Sequence, residues 1–240
     1  QYMEIVGRWA RGPYFDMAVQ GDTVYYGNGA TLEIIEISGS STPVNELGEY
    51  TVPGAITSIK LTGDFMTIGT KESGFLWLNV TDPANPTLFL SVTDDLQVED
   101  MTTFGDYSYI ARFADGFWII DTADPENPQY LDLVHSDQYV SHVEIENDHF
   151  YASSDSGFFV YDMSKPDSLR RIGSFKKAGA VRHFHIVGDT AYLAAARDGF
   201  WIVDIADPTA PAEIGSLNTG MPTTDVTVSG NHAFLANFQA

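Results

Sequence analysis

Two kinds of apolar pattern alternate along this chain. Stretches such as Phe15-Asp16-Met17-Ala18-Val19 place apolar and polar residues in turn, the period of a half-buried β-strand. Others, such as Phe117-Trp118-Ile119-Ile120, are apolar at consecutive positions and predict strands covered on both faces. The two kinds recur in a fixed order. An alternating first strand leads into a turn dipeptide, Gly21-Asp22, Gly63-Asp64, Gly105-Asp106 or Gly188-Asp189, with Asn147-Asp148 and Gly230-Asn231 as variants. Gly, Asn and Asp tolerate positive φ, so these dipeptides predict two-residue hairpins. A second strand then carries an aromatic and a small residue (Tyr25 with Gly27, Tyr109 with Ala111, Tyr151 with Ser153). The continuous apolar strand is third. It ends at a turn such as Asp124-Pro125 or Asp207-Pro208, and a fourth strand such as Tyr130-Leu131-Asp132-Leu133-Val134 completes the unit.

Copies of the third-strand motif begin at Thr31, Gly74, Gly116, Gly157 and Gly199, at intervals of 43, 42, 41 and 42 residues. Units of about forty residues, each of four strands covered on both faces, call for radial stacking. The predicted fold is all-β, a β-propeller of six four-stranded blades forming a single domain over residues 1–240. A two-sheet sandwich would show alternation in most strands and no fixed period. Six hairpin turns give six pairs of first and second strands. The sixth pair, 224–238, lacks a third strand and its turn, and residues 3–9 match a fourth strand. The expectation is that the N-terminal strand closes the last blade, removing two exposed edges, and that the natural polypeptide is longer, continuing past Ala240.

The blocks Phe117-Trp118-Ile119-Ile120-Asp121 and Phe200-Trp201-Ile202-Val203-Asp204, each followed by Asp-Pro and a second Pro, resemble the LVIVD repeat. So do the hairpins Gly188-Asp189-Thr190-Ala191-Tyr192 and Gly230-Asn231-His232-Ala233-Phe234. The resemblance covers essentially the whole chain. It implies a secreted or surface-anchored propeller with no general enzymatic assignment, acting through a protein partner or self-assembly at the cell surface. Two units depart from the pattern: Lys165-Pro166-Asp167-Ser168-Leu169 lacks the second Pro, and Ser38-Gly39-Ser40 replaces Asp-Pro in the first.

Charge narrows the partners. With 33 acidic against 12 basic residues the formal net charge is −21, which repels phosphate backbones and argues against nucleic acid. The absence of cysteine removes disulfides, thiolate metal sites and cysteine nucleophiles together. No apolar run has the length of a transmembrane segment.

Aligning the six units on their hairpins brings out one constellation. Five residues before each turn lie Asp16, Ser58, Asp100, His142, His183 and Asp225, each followed by an apolar residue (Met17, Ile59, Met101, Val143, Phe184, Val226). The first strand of a propeller blade is innermost, so these positions are expected to ring the central channel and to bind a small ligand or ion. Asp100, His142, His183 and Asp225 occupy four successive blades. Two imidazoles flanked by two carboxylates suit a divalent metal, with zinc or manganese favoured by the nitrogen ligands and calcium by the oxygens. The opposing reading is that the Asp belongs to the repeat itself and hydrogen-bonds the backbone of the neighbouring blade. Lesser candidates are His185 and Glu144 as a second layer, Arg112 near the channel's other mouth, Trp77, Trp118 and Trp201 as blade core, and Asn79 as a glycosylation acceptor. No nucleophile elbow, zinc-protease helix motif, phosphate loop or EF-hand spacing is present. The sequence therefore reads as a non-enzymatic extracellular or cell-surface interaction module. The alternative is a metal-dependent hydrolase or lactonase using the channel ring, an inference from fold analogy.

Overall fold

The computed structural model describes residues 14–37, 45–71, 73–92, 98–112, 116–124, 127–135 and 139–238, and every helix or strand among them is a β-strand. The chain divides into two compact units, residues 1–96 and 97–240. In the first unit, Tyr14–Gln20 (β1), Thr23–Asn28 (β2), Thr31–Glu36 (β3) and Asn45–Thr51 (β4) form one sheet. Ile56–Thr62 (β5), Phe65–Thr70 (β6), Phe75–Asn79 (β7) and Thr87–Val92 (β8) form another. In the second unit, Val98–Phe104 (β9), Tyr107–Arg112 (β10), Gly116–Asp121 (β11) and Gln129–His135 (β12) make a third sheet. Val140–Glu146 (β13), His149–Ser154 (β14), Gly157–Asp162 (β15) and Arg170–Phe175 (β16) make a fourth. His183–Val187 (β17), Thr190–Ala194 (β18), Phe200–Asp204 (β19) and Ala212–Leu217 (β20) make a fifth. Thr223–Ser229 (β21) and His232–Asn237 (β22) pair as a two-stranded sheet. Each sheet is an antiparallel meander in chain order, as the repeat predicts. The expected closing strand at residues 3–9 and the atypical turn at 38–40 lie outside the described residues.

The hairpins have the conformations their dipeptides favour. Gly21, Gly63, Gly105, Gly188 and Gly230 sit at φ between 57 and 60°, followed by a residue at negative φ, as a type II′ turn requires. Asn147 and Asp148 are both at positive φ (49 and 57°), the type I′ alternative. After four of the third strands, β7, β11, β15 and β19, an aspartate or asparagine side chain caps the chain reversal. Asn79, Asp121, Asp162 and Asp204 each accept the N–H two residues on, at 2.8 to 2.9 Å. The recurring acids of the motif, and the Asn79 amide with them, thus hold turns.

The third strands are central and covered on both faces. Phe117, Ile119 and Ile120 of β11 and Phe158, Phe159 and Val160 of β15 are all buried. Removing such side chains from water contributes about 1.5–3 kcal/mol each. Within each unit the apolar clusters join consecutive sheets: Leu32 and Ile34 meet Met66, Ile68 and Leu76; Tyr109 and Phe117 meet Phe150 and Tyr161; Phe158 and Val160 meet Phe184 and Leu193. Glycine permits the closest of these approaches. A Cβ on Gly173 of β16 would run into the carbonyl oxygen of Pro208, in the turn of the next sheet, and a Cβ on Gly48 of β4 would come within 2.7 Å of the Ala84 carbonyl oxygen.

Two irregularities repeat. The pairing of third with fourth strand shifts register once in every four-stranded sheet, at Ile34/Ile35, Trp77/Leu78, Ile119/Ile120, Val160/Tyr161 and Ile202/Val203. First strands are also bulged, at 14/17, 56/58, 140/142 and 223/225, and in the third sheet where Arg112 pairs Val98 and Ala111 pairs Asp100. A bulge bends its strand and re-aims the adjoining side chain.

Candidate functional site on the first strands

The bulges fall where the ring residues are. Ser58, Asp100, His142 and Asp225 each directly follow the extra residue of their first strand, so the local bend sets their direction. The apolar residue after each ring position is buried in Ile59, Met101, Val143, Phe184 and Val226. Met17 is the exception, 60% exposed.

In the first unit, Asp16 reaches across to the neighbouring sheet. Its Oδ2 accepts the backbone N–H of Ile59 at 2.7 Å, while Oδ1 accepts the N–H of Met17 at 2.8 Å. Ser58 is buried beside that amide. The second unit repeats the tie: Asp100 Oδ2 accepts the N–H of Val143 at 3.0 Å. The two bonds join residues 43 apart in sequence and equivalent in the repeat. This is the backbone tie between adjacent blades weighed above as the alternative to a ligand role.

The same Asp100 oxygen lies 2.5 Å from His142 Nδ1, and both side chains are buried. The His142 ring stacks on that of His183, centroids 4.0 Å apart and planes 31° apart, with Phe184 against its edge at 4.7 Å. His183 Nδ1 lies 2.8 Å from Asp225 Oδ1, a close contact outside hydrogen-bond alignment. Asp225 also accepts the N–H of Val226 at 2.7 Å. The four residues singled out on successive units therefore form one line, Asp100–His142–His183–Asp225, across β9, β13, β17 and β21. Both imidazoles bring Nδ1 close to a carboxylate, Asp100 for His142 and Asp225 for His183.

Exposure differs along the line. Asp225 is 61% exposed at one end. Its carboxyl is held below the ordinary aspartate range by the contact with His183 and then by the Val226 amide, against the opposing effect of burial. Stability from this group is present above the ordinary carboxyl range and is lost as pH falls through its lowered folded value. His185, two residues beyond His183, is held below the usual imidazole range by burial and by the neighbouring His183.

Among the described residues no three His, Asp or Glu side chains converge as a divalent ion requires. An ion placed here would meet imidazoles first, with the carboxylates behind them as partners of Nδ1, an arrangement common around metal-bound histidine. Three neighbours escaped the sequence reading because only the bulges bring them in. The bulged Ser141 donates to the Val181 carbonyl at 2.8 Å, and Tyr139 donates to the bulged Glu99 at 2.8 Å. Burial, with the nearby Glu99 carboxylate, raises the Tyr139 phenol well above its ordinary range. Arg112 stacks over Trp118 at 4.6 Å, and Trp77 donates to Thr67 at 2.5 Å. The tryptophans belong to the sheets.

Solved structures place the architecture. The β-propeller domain of Myceliophteria thermophila Swd1 superposes with a TM-score of 0.72 at 15% identity, over 90% of this chain and 75% of that one. The computationally designed Ika8 protein does so at 0.66 and 11%, over 95% and 81%. A protein from Bacteroides uniformis provisionally assigned as a 6-phosphogluconolactonase gives 0.65 and 14%, over 82% and 68%. At these identities the likeness establishes the β-propeller fold alone. The LVIVD repeat model matches residues 53–94, 97–134, 178–219 and 222–240, so the chain belongs to the LVIVD-repeat family. No curated protein matches it by sequence.

Proposed function

We propose that this chain is a six-bladed propeller module that binds other proteins outside the cell or at its surface, without catalysing a reaction. One observation supports the reading most. The polar positions nearest to a catalytic constellation hold the sheets together, through Asp16 on the Ile59 amide, Asp100 on the Val143 amide and His142, and His183 on Asp225. A general base works with its reactive nitrogen or oxygen turned towards a substrate. Here the carboxylates are turned towards backbone amides and imidazoles. The LVIVD repeats and the large acidic surface agree with a role outside the cell, and the single propeller domain over residues 1–240 is part of the same proposal.

A metal-dependent hydrolase or lactonase is the second reading, and the stacked His142 and His183 pair is the observation that favours it. One experiment separates the two. Purified protein is loaded with calcium, zinc or manganese, its metal content measured, and its turnover on a panel of esters and lactones compared before and after chelation. The expected result is no chelator-sensitive turnover, whether or not an ion binds. Turnover that disappears in His142→Ala and His183→Ala, with folding retained, would establish the enzyme instead. Bound metal without turnover would assign the pair a structural ion and leave the interaction module standing.

A further inference from the structure

The few cations of this acidic chain are not spread evenly. Seven of its twelve Lys and Arg residues lie between Lys165 and Arg197, a stretch with two acids, Asp167 and Asp189. The rest of the chain holds five basic and thirty-one acidic residues. Four of the seven lie on or directly after one outer strand of the second unit. Arg170 and Arg171 are exposed on β16, and Lys176 and Lys177 are exposed directly after it.

Charge on an outer strand discourages sheets from stacking edge to edge, and that alone would explain charged residues there. It does not explain their sign. The other fourth strands carry Glu46 and Glu49 (β4), Asp132 (β12) and Glu213 (β20), or no charge at all (β8). Only β16 is basic.

The cations differ in how they are engaged. Lys177 pairs with Glu213 and lies over Trp201, and Arg170 stands opposite Asp162. Arg171 and Lys176 have no carboxylate partner among the described residues. Both lie instead over one buried ring, Phe159, at 5.4 and 5.7 Å from its centroid. The ring attracts each cation weakly, so two exposed positive groups lie about one aromatic side chain without a counter-charge among the described residues. An unneutralised pair of this kind is suited to an incoming carboxylate.

We infer that Arg171 and Lys176, seated on Phe159, are the docking point through which this chain joins the acidic surface of a second copy of itself. The inference rests on the interaction-module reading and supplies its partner. Charge complementarity carries it: the positive strip is local, and the outer strands β4 and β12 that another copy presents carry Glu46, Glu49 and Asp132. The strip and its target are different surfaces, so the contact is head-to-tail. Repeating it extends a chain of subunits unless the rotation closes a ring. At contact the local opposite charges attract within a Debye length, which shortens from about 10 Å at 0.1 M salt to about 3 Å at 1 M, and they do so against the net charge of −21 that each copy carries.

Sedimentation velocity of the full chain, across a concentration series in about 0.05 M and about 0.5 M salt, tests this. The expected result is an average mass that rises with concentration at low salt and falls at high salt. In R171Q/K176Q the association weakens about tenfold or more, while K71E, which changes net charge by the same amount at an exposed site of the first unit, leaves it within about twofold. Unchanged thermal unfolding of R171Q/K176Q shows that the fold is retained. A monomer at every concentration and salt, or equal weakening by K71E, overturns the proposal. So does retention on a polyanion column that depends on Arg171 and Lys176 in a protein that stays monomeric. That last outcome would make the partner an acidic polymer and keep the interaction module. Chelator-sensitive turnover would sink the module reading while leaving a measured association intact.

Discussion

Replacing Asp100 by alanine is the sharpest perturbation of the ring position. One carboxylate oxygen serves two groups, the Val143 amide at 3.0 Å and His142 Nδ1 at 2.5 Å. Val143 is 1% exposed, so its N–H cannot turn to solvent when the acceptor goes. A buried donor left unmade costs about 1–3 kcal/mol, and the imidazole loses its acceptor in the same step. The two losses share one network and do not simply add, which places Asp100→Ala at about 2–4 kcal/mol. Asp16→Ala removes the equivalent tie to Ile59 without an imidazole, at about 1–2 kcal/mol. Asp225 is 61% exposed, and water can replace what it provides, so Asp225→Ala stays under about 1 kcal/mol. Urea unfolding at pH 7, followed by far-UV circular dichroism, should rank the variants in that order with unchanged slopes. An Asp100→Ala midpoint matching the parent, or an Asp225→Ala loss as large as that of Asp100→Ala, would show that the Asp100 carboxylate does not hold the two sheets together.

Further outcomes follow from the packing. Gly173→Ala, whose Cβ would meet the Pro208 carbonyl, should lose about 2 kcal/mol or more, whereas Gly215→Ala at the equivalent position of β20 has nothing within 4 Å and should stay within about 0.5 kcal/mol; thermal unfolding of the pair measures this. Tyr109 donates to the Pro166 carbonyl at 2.9 Å, so Tyr109→Phe should cost about 1 kcal/mol in the same assay. Burial pushes the Tyr151 phenol up to about 12, ahead of the smaller effects of Glu146, Asp189 and Glu144. A raised folded value means that its stability is fully present below the ordinary tyrosine range, near pH 10, and is lost as pH rises through 12. Ultraviolet titration should then show Tyr151 ionising after the exposed tyrosines, a delay absent in Tyr151→Phe.

The repeat, the strand types and the turns can be read along the chain, because each depends on neighbouring residues. A continuous apolar run such as Phe117 to Ile120, bounded by turn signals and repeated at a fixed period, fits a strand covered on both sides, and Gly-Asp or Asn-Asp can close a hairpin wherever it lies. The same counting aligned Asp100, His142, His183 and Asp225 on successive units, and the structure brings those four together. Their chemistry depended on what counting cannot reach. A bulge places one extra residue in a strand without changing its apolar pattern, so neither the bend before Ser58, Asp100, His142 and Asp225 nor the arrival of Ser141 and Tyr139 beside them was legible. The partners of Asp100 lie on a different sheet, and only tertiary packing decided that its carboxylate meets a backbone amide and an imidazole. The cations after β16 illustrate the same division. Their clustering is written in the sequence, but whether Arg171 and Lys176 meet a carboxylate or the face of Phe159 is settled by where folding brings β15 and β16 side by side.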